Sequence, residues 1–445
     1  MTFADHTTTY VDAKYLTNQG TSFITTDDST KESGVSLGKD SQFVITGVQT
    51  GETLNFSNSN DLTNTLAKEG QITTDNALQK FVEDKDDSSG KLVASVVTKE
   101  EAAAALPGSV LTNAALEAAE TNNEAITDLF TGAMTTAEKV ANLNKAANLG
   151  ELAGLNHSTY TASNLFTDTI GKHLEVLPKD KELWGYYVHS KESVGGLGLA
   201  GASANYDTTY DGAVVGMDLW RKGNTAGGVA ISYINGSLEG AGIKNDADYY
   251  GLSVYGRKDL AGVSLLSDVS YLHGSNDITQ TLVGKTVTAK PDADGFTVGI
   301  KALKDIAVTG TGKLTPYAGV RYLRINTESY SASNGLHYDA DSQDLFLIPV
   351  GVNYSADFTH GAWTYRPTVG VGYVWNAAGR SVDQTVSWGN GIDSFSYNTI
   401  DSSSFIAHAG ISAEKKNISF GVGYEYQDGS STRADKWMVN AAYRF

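Results

Sequence analysis

The chain has 445 residues, 40% of them hydrophobic, no Cys and a net charge of -18. That length accommodates two or more domains. The acidic balance excludes a phosphate-binding nucleic-acid surface, and the absence of Cys excludes disulfide staples and thiol metal sites. No run reaches the ~18 apolar residues of a spanning helix, so a chain of this kind crosses a membrane only as a closed barrel.

The opening Met1-Thr-Phe-Ala-Asp5 has neither the basic region nor the apolar stretch of a signal peptide, and we expect a processed or truncated chain. Residues 1–98 are rich in Thr, Ser, Asp and Asn, with short apolar beats at Val35-Ser-Leu37, Gln42-Phe-Val-Ile45 and Thr53-Leu-Asn-Phe56. Such beats predict the rungs of a β-solenoid end. Residues 99–177 read helical. Lys99 to Leu106 and Leu111 to Glu120 are Ala-rich, and Thr135-Thr-Ala-Glu138 is a capping-box pattern. A later stripe places Leu165, Phe166, Ile170 and Leu174 at helical spacing, with Pro178 beyond its end.

From Leu183 onward the apolar period becomes two, which predicts about twelve strands: 183–192, 206–221, 224–235, 246–258, 261–273, 293–305, 312–327, 341–358, 362–378, 402–415, 417–428 and 433–445. Short turns at Lys222-Gly-Asn224, Asp259-Leu-Ala261, Thr359-His-Gly361 and Lys416 alternate with long polar connections, notably 274–292, 329–340 and 379–401. That alternation is the pattern of an outer-membrane barrel, short turns toward the periplasm. The ninth strand shows the two faces. Trp363, Tyr365, Val369, Val371, Tyr373 and Trp375 lie on one side, and Thr364, Arg366, Thr368, Gly370 and Gly372 on the other. A charge on the lipid side would cost ~2–4 kcal/mol at mid-depth, so by strand parity Asp218, Arg321, Arg366, Glu425 and Arg444 should face the lumen. Pro349 and Pro367 each lack a ladder donor and predict a bulge or gap. The final strand alternates Trp437, Val439, Ala441, Tyr443 and Phe445 with Met438, Asn440, Ala442 and Arg444.

Several motifs carry less chemistry than their spacing suggests. Gly196-Leu-Gly198-Leu-Ala-Gly201 matches a dinucleotide loop but leads into a strand rather than a helix, so we expect an external loop. Gly310-Thr-Gly-Lys313 lacks the first Gly of a P-loop and has Leu314 where Ser or Thr would hold magnesium. The eight His are scattered and no zinc motif is present. Asp246-Ala-Asp248, Asp292-Ala-Asp294 and Asp339-Ala-Asp341 are too short for a calcium loop and should be solvated loop tips. No cofactor or metal site is expected.

The order of parts resembles the C-terminal translocator of a monomeric autotransporter of type V secretion, over residues 137–445. Gly154-Leu-Asn-His-Ser-Thr-Tyr160 with the stripe to Leu174 resembles the family's linker helix, Leu183-Trp-Gly-Tyr-Tyr187 its first strand, Tyr210-Asp-Gly-Ala-Val-Val-Gly-Met-Asp218 its second, and Val439-Asn-Ala-Ala-Tyr-Arg-Phe445 its terminal assembly signal. The resemblance implies an all-β fold: a twelve-stranded antiparallel transmembrane barrel (183–445), a linker with a lumenal helix (137–182) plugged by Phe166, Ile170 and Leu174, and a solenoid-like, then helical, passenger remnant (1–136). It implies a non-enzymatic monomer in the outer membrane of a Gram-negative bacterium that anchors its passenger and enables its export to the cell surface. Its partners would be outer-membrane lipid and lipopolysaccharide, periplasmic chaperones, the barrel-assembly machinery acting on Trp437, Val439, Ala441, Tyr443 and Phe445, and its own passenger, with no nucleic acid. Some autotransporters cut themselves in the linker by attack of an Asn side chain on its own peptide bond. Asn142 and Asn144 resemble that site, but Ala141 stands where the first Asn of a pair would be. Two other readings share the barrel. A passive porin leaves the preceding ~180 residues without a role. A protease or lipase at the barrel rim needs an acid–base cluster, for which His337 and Asp339 are scattered candidates.

Overall fold

A computed structural model describes residues 3–17, 22–25, 37–83, 91–176, 181–199, 202–308 and 310–445. Val35, Pro178 and Gly201, singled out above, lie outside them. The chain forms two compact units: 1–147 with 334–337 and 385–394, and the remainder from Asn148 onward. The division therefore falls eleven residues later than the 136 boundary read from the sequence, because the helix Thr136–Ala147 belongs with the first unit.

In the first unit the beat Gln42 to Ile45 becomes a rung, whereas Thr53–Leu54 pairs antiparallel with Leu92 and Val93 in another sheet. Thr8–Asp12, Gln42–Thr46 and Ile72–Thr74 stack in parallel, with Thr9 opposite Phe43 and Phe43 opposite Ile72. Repeated short strands bury their apolar residues only by stacking on one another. Phe43 is fully buried and sits 5.1 Å, ring to ring, from both Phe3 and Phe56. The helix Thr136–Ala147 opens on a capping box: Glu138 N donates to Thr135 Oγ1 at 3.3 Å, and Thr135 N donates to Glu138 Oε2 at 2.8 Å. The helix Thr112–Glu120 has no cap of its own. Asp393 supplies one, accepting from Asn113 N at 3.1 Å and Ala114 N at 2.9 Å.

The second unit is a closed antiparallel barrel of twelve long strands. In order they are Glu182–Leu199, Ala202–Lys222, Thr225–Gly240, Ile243–Leu260, Val263–Leu282, Asp292–Leu303, Gly312–Thr327, Gln343–Ala356, Trp363–Ala378, Ser403–Lys415, Ile418–Gly429 and Thr432–Arg444. The twelfth closes on the first from Thr432–Val194 to Arg444–Glu182. Tight turns at 223–224, 261–262 and 416–417 share one end with Glu182 and Arg444.

At the opposite end the sequence underestimated the strands. The fifth runs to Leu282 and turns back as Lys285–Ala289, where a loop was expected. Residues 379–401 form the hairpin Ser381–Trp388 and Gly391–Asn398. Thr279, Thr281, Thr286 and Thr288 are β-formers, but they give no apolar outer face, so the hydropathy period fades while the ladder continues. The stretch Gly196–Leu199 is likewise strand rather than loop, with a register shift between Gly195 and Leu197. Asp246, Asp248, Asp292, Asp294 and Asp339 stand on strands, not at loop tips. Both prolines interrupt a ladder. Beside Pro349 the pairing steps from Ala318–Val350 to Arg321–Leu347. Pro367 stands between Ser355–Thr368 and Phe358–Tyr365.

Candidate functional site: the filled lumen

A helix, Leu155–Leu174, runs inside the barrel. It begins after a short helix, Leu149–Leu152, at Gly154, whose φ is +62°. A Cβ there would stand 2.7 Å from both Tyr206 OH and Leu238 Cδ1, so glycine supplies the left-handed turn and the close approach to the wall together. Phe166, Ile170 and Leu174 are buried against Trp184, Val214, Ile234, Tyr255 and Leu266. The wall is thinned to admit them: a Cβ on Gly251 would fall 2.7 Å from Phe166 Cε1.

The polar side of the helix is tied to the wall along its length. Near its start, Asn156 Nδ2 donates to Gln343 Oε1 at 3.1 Å, and His157 Nε2 lies 3.1 Å from Glu192 Oε1. Thr161 Oγ1 donates to Glu192 Oε2 at 3.1 Å. Lower down, ion pairs take over: Arg321 to Asp168 at 2.8 Å, Lys172 to Glu425 at 2.9 Å, His173 to Asp218 at 3.2 Å and Lys301 to Glu175 at 2.8 Å. Arg257 Nη1 donates to the carbonyls of Leu174 and Glu175, both at 2.7 Å. Those carbonyls have no partner within the helix, and a cation there also favours the negative end of the helix dipole.

Of the five charges assigned to the lumen by parity, Asp218, Arg321 and Glu425 touch the helix. Arg366 and Arg444 do not: Arg366 pairs with Asp357 at 2.6 Å, and Arg444 bridges Glu182 and Glu414, both at 2.8 Å. Sequence reasoning missed Glu192, Arg257, Lys301 and Lys436. Parity could have found Arg257, which shares the inward side with Ser253 and Tyr255. In the closing strand Trp437, Val439 and Phe445 are 50, 53 and 63% exposed, with Ala441 and Tyr443 on the same outward side. Asn142 and Asn144 belong to the first unit. Asn144 Oδ1 accepts from Val110 N at 2.9 Å, and Asn142 Nδ2 donates to Leu129 O at 3.2 Å, so both amides brace neighbouring backbone.

A cavity of about 360 Å³ remains beside the helix, lined by Lys172, Glu175, Tyr317, Asn353, His408 and Glu425. Among the described residues, no three His, Asp or Glu side chains stand close enough to share a metal ion. Above the helix, Glu151 is buried with no hydrogen-bond partner for either carboxyl oxygen among the described residues. Burial pushes its carboxyl up to about 8, against the opposing influence of His157.

A twelve-stranded barrel whose lumen holds the helix preceding its first strand also matches known proteins. The family model described as the autotransporter beta-domain matches residues 184–425. The chain belongs to the autotransporter β-domain family. It is 28% identical over 206 residues to the YaiT protein of Escherichia coli K12, and 25% identical over 293 residues to that of Salmonella typhimurium LT2. Those stretches cover 44 and 63% of this chain but only 21 and 29% of the two relatives, which are far longer. The translocator domain of the autotransporter NalP from Neisseria meningitidis shares the fold, with a TM-score of 0.55 at 14% identity, over 66% of this chain and 99% of that one. The barrel is thus an outer-membrane autotransporter domain of the type V pathway, a domain type that is not itself catalytic.

Proposed function

We propose that this barrel exports the segment N-terminal to it and then anchors that segment at the cell surface. One observation carries the reading. The chain leaves the lumen at Gly154, beside Tyr206 and Leu238, near the long hairpins, and enters the wall at Glu182, at the short-turn end. A chain that traverses its own barrel has to have been threaded through it or enclosed by it.

Physical dimensions support threading of an unfolded chain. Twelve strands ~4.8 Å apart, tilted ~40°, give a wall about 24 Å across. Inward side chains leave roughly the 10–12 Å of one dressed helix. A folded domain does not fit. In this reading the short turns face the periplasm, the chain reaches the barrel-assembly machinery with periplasmic chaperones, and Tyr443 and Phe445 serve insertion. The barrel acts as a monomer, with outer-membrane lipid around it. A porin reading is disfavoured by the filled bore.

The test is display. An epitope fused before Met1, behind an export signal, should be reached by antibody on intact bacteria. Detection only after the outer membrane is permeabilised would defeat the reading.

A further inference from the structure

Around Leu155 to Ser163 the bore bonds its helix on one side only. Toward the seventh and eighth strands the helix is tied down: Asn156 Oδ1 accepts from Thr327 Oγ1 at 3.0 Å, Asn156 Nδ2 donates to Gln343, and His157 Nδ1 lies 3.0 Å from the carbonyl of Thr399. Toward the first four strands it is covered but, Glu192 apart, not hydrogen-bonded among the described residues.

On that side the wall presents Ser190, Tyr206, Thr208, Tyr210, Ser232 and Tyr249, each no more than 7% exposed. Among the described residues, none of these six hydroxyls has a hydrogen-bond partner, and neither has Ser158 Oγ on the helix. They form a continuous sector, with Ser190 opposite Tyr210 and Tyr249 opposite Ile234 across the ladders. Tyr210 OH comes near Ser158 and Thr161, and Tyr249 OH near Ser158 and Thr159, without completing a bond. A Cβ on Gly236 would stand 3.1 Å from Tyr210 Cε1, and one on Gly274 2.5 Å from Tyr249 Cε1. Both rings therefore lie along the wall instead of crossing the bore. The inward positions at this level, from Ala204 to Val214, Ala230 to Leu238 and Asn245 to Ser253, carry no charge.

A buried hydroxyl without a partner has lost its water and gained nothing in return. A wall that only had to hold this helix would do better with Phe for each Tyr and Ala for each Ser. The arrangement suits a different occupant. We infer that this hydroxyl sector is the surface along which the backbone of the exported segment slides. The inference deepens the export reading above and rests on it.

A polypeptide in transit presents a C=O at every residue and an N–H at every residue but proline. In a bore about as wide as one dressed helix it sheds most of its water. A hydroxyl both donates and accepts, and its proton rotates to suit, so it meets whichever backbone group arrives. A fixed ammonium or carboxylate would serve only one of the two and would catch side chains of opposite charge. A hydroxyl sector therefore hands the chain on from residue to residue whatever its sequence. The helix now in the bore satisfies its own backbone internally, which leaves the same hydroxyls idle.

The test uses the full chain behind an export signal, with an epitope fused before Met1, in a pulse-chase with protease added to intact cells. Combining Tyr206→Phe, Tyr210→Phe and Tyr249→Phe should slow arrival of the epitope at the surface roughly five- to tenfold, the worth of one hydrogen bond lost at the barrier. The slowing should be equal for an acidic and a basic epitope. The unfolding temperature by heat-modifiable gel migration should match the parent or exceed it. The outward-facing Tyr187, Tyr233 and Tyr250, changed together to Phe, should leave the export rate as it was. Unchanged export in the lumenal variant overturns the inference, and so does equal slowing in the outward set. A fall in unfolding temperature of the lumenal variant overturns it too, because the hydroxyls would then serve structure through buried water. Slowing confined to one epitope charge likewise counts against a backbone surface. Should the threefold variant fail to assemble, Ser190→Ala combined with Ser232→Ala is held to the same outcomes. A parent whose epitope never reaches the surface would instead sink the export reading.

Discussion

The two halves of the lumenal helix are held by different physics. From Leu155 to Ser163 every side chain is buried, and the ties are hydroxyls, amides and one His–Glu contact. From Asn164 to Glu175 one side buries Phe166, Ile170 and Leu174, while the other carries ion pairs facing the cavity. A partly wet pore screens charge, so the lower ion pairs contribute modestly one by one. The apolar stripe and the Arg257 latch should carry more of the stability there.

The largest effect should come from the stripe. Phe166→Ala opens a void beneath Gly251, and large-to-small changes of this kind cost about 3–5 kcal/mol. Heat-modifiable gel migration should show a markedly lower unfolding temperature, with higher conductance in planar bilayers. Arg257→Ala should come next, losing two charge-assisted bonds to the helix end at about 1.5–3 kcal/mol in all. Its expected signature is intermittent channel opening, because only the lower half is released. If both variants conduct as little as the parent, the helix is held mainly from above.

A third change probes the upper half through pH. Burial raises the Glu151 carboxyl from its ordinary 4.5 to about 8. Its neutral form is the one the fold accepts. The associated stability is full below about pH 4.5 and is lost as pH rises through 8. Melting temperature should therefore decline over that window in the parent and stay flatter in Glu151→Gln, followed by circular dichroism. The smallest effect should be Lys313→Ala, which breaks a half-exposed 3.1 Å pair with Asp305 near a short turn; a change within ~1 kcal/mol is expected. A larger loss would mean that surface pairs matter here more than the comparison allows.

Much of the wall was legible because lipid on one side and side-chain-filled lumen on the other impose a strict period of two. Trp363 to Trp375 reads its own register. Legibility ends where lipid ends. Above the apolar band the outer face turns polar although Ile278, Leu282, Val287, Val382 and Val386 stay buried inside, and the upper strands at 282, 289 and 381–398 were read as loops. The lumen was half legible: parity placed Asp218 and Glu425 on the inward side, but nothing local distinguishes Glu425, which reaches the helix, from Arg444, which pairs with Glu182 and Glu414. In the first unit Gln42 to Ile45 showed as a rung. The helix Asn60–Lys68 went unread because it is short and mostly polar.

The joint at Gly154 also has a mechanical meaning. Asn148 Nδ2 donates to Ala202 O and Asn245 Nδ2 donates to Ala153 O, both at 3.0 Å. The first ties the Asn148 side chain, and the second the Ala153 carbonyl, to the rim of the wall. A tug on whatever precedes Asn148 meets them before it meets Lys172 or Arg257. They act as a cable clamp, shunting load into the stiff hydrogen-bonded cylinder and sparing the softer fastenings inside the bore.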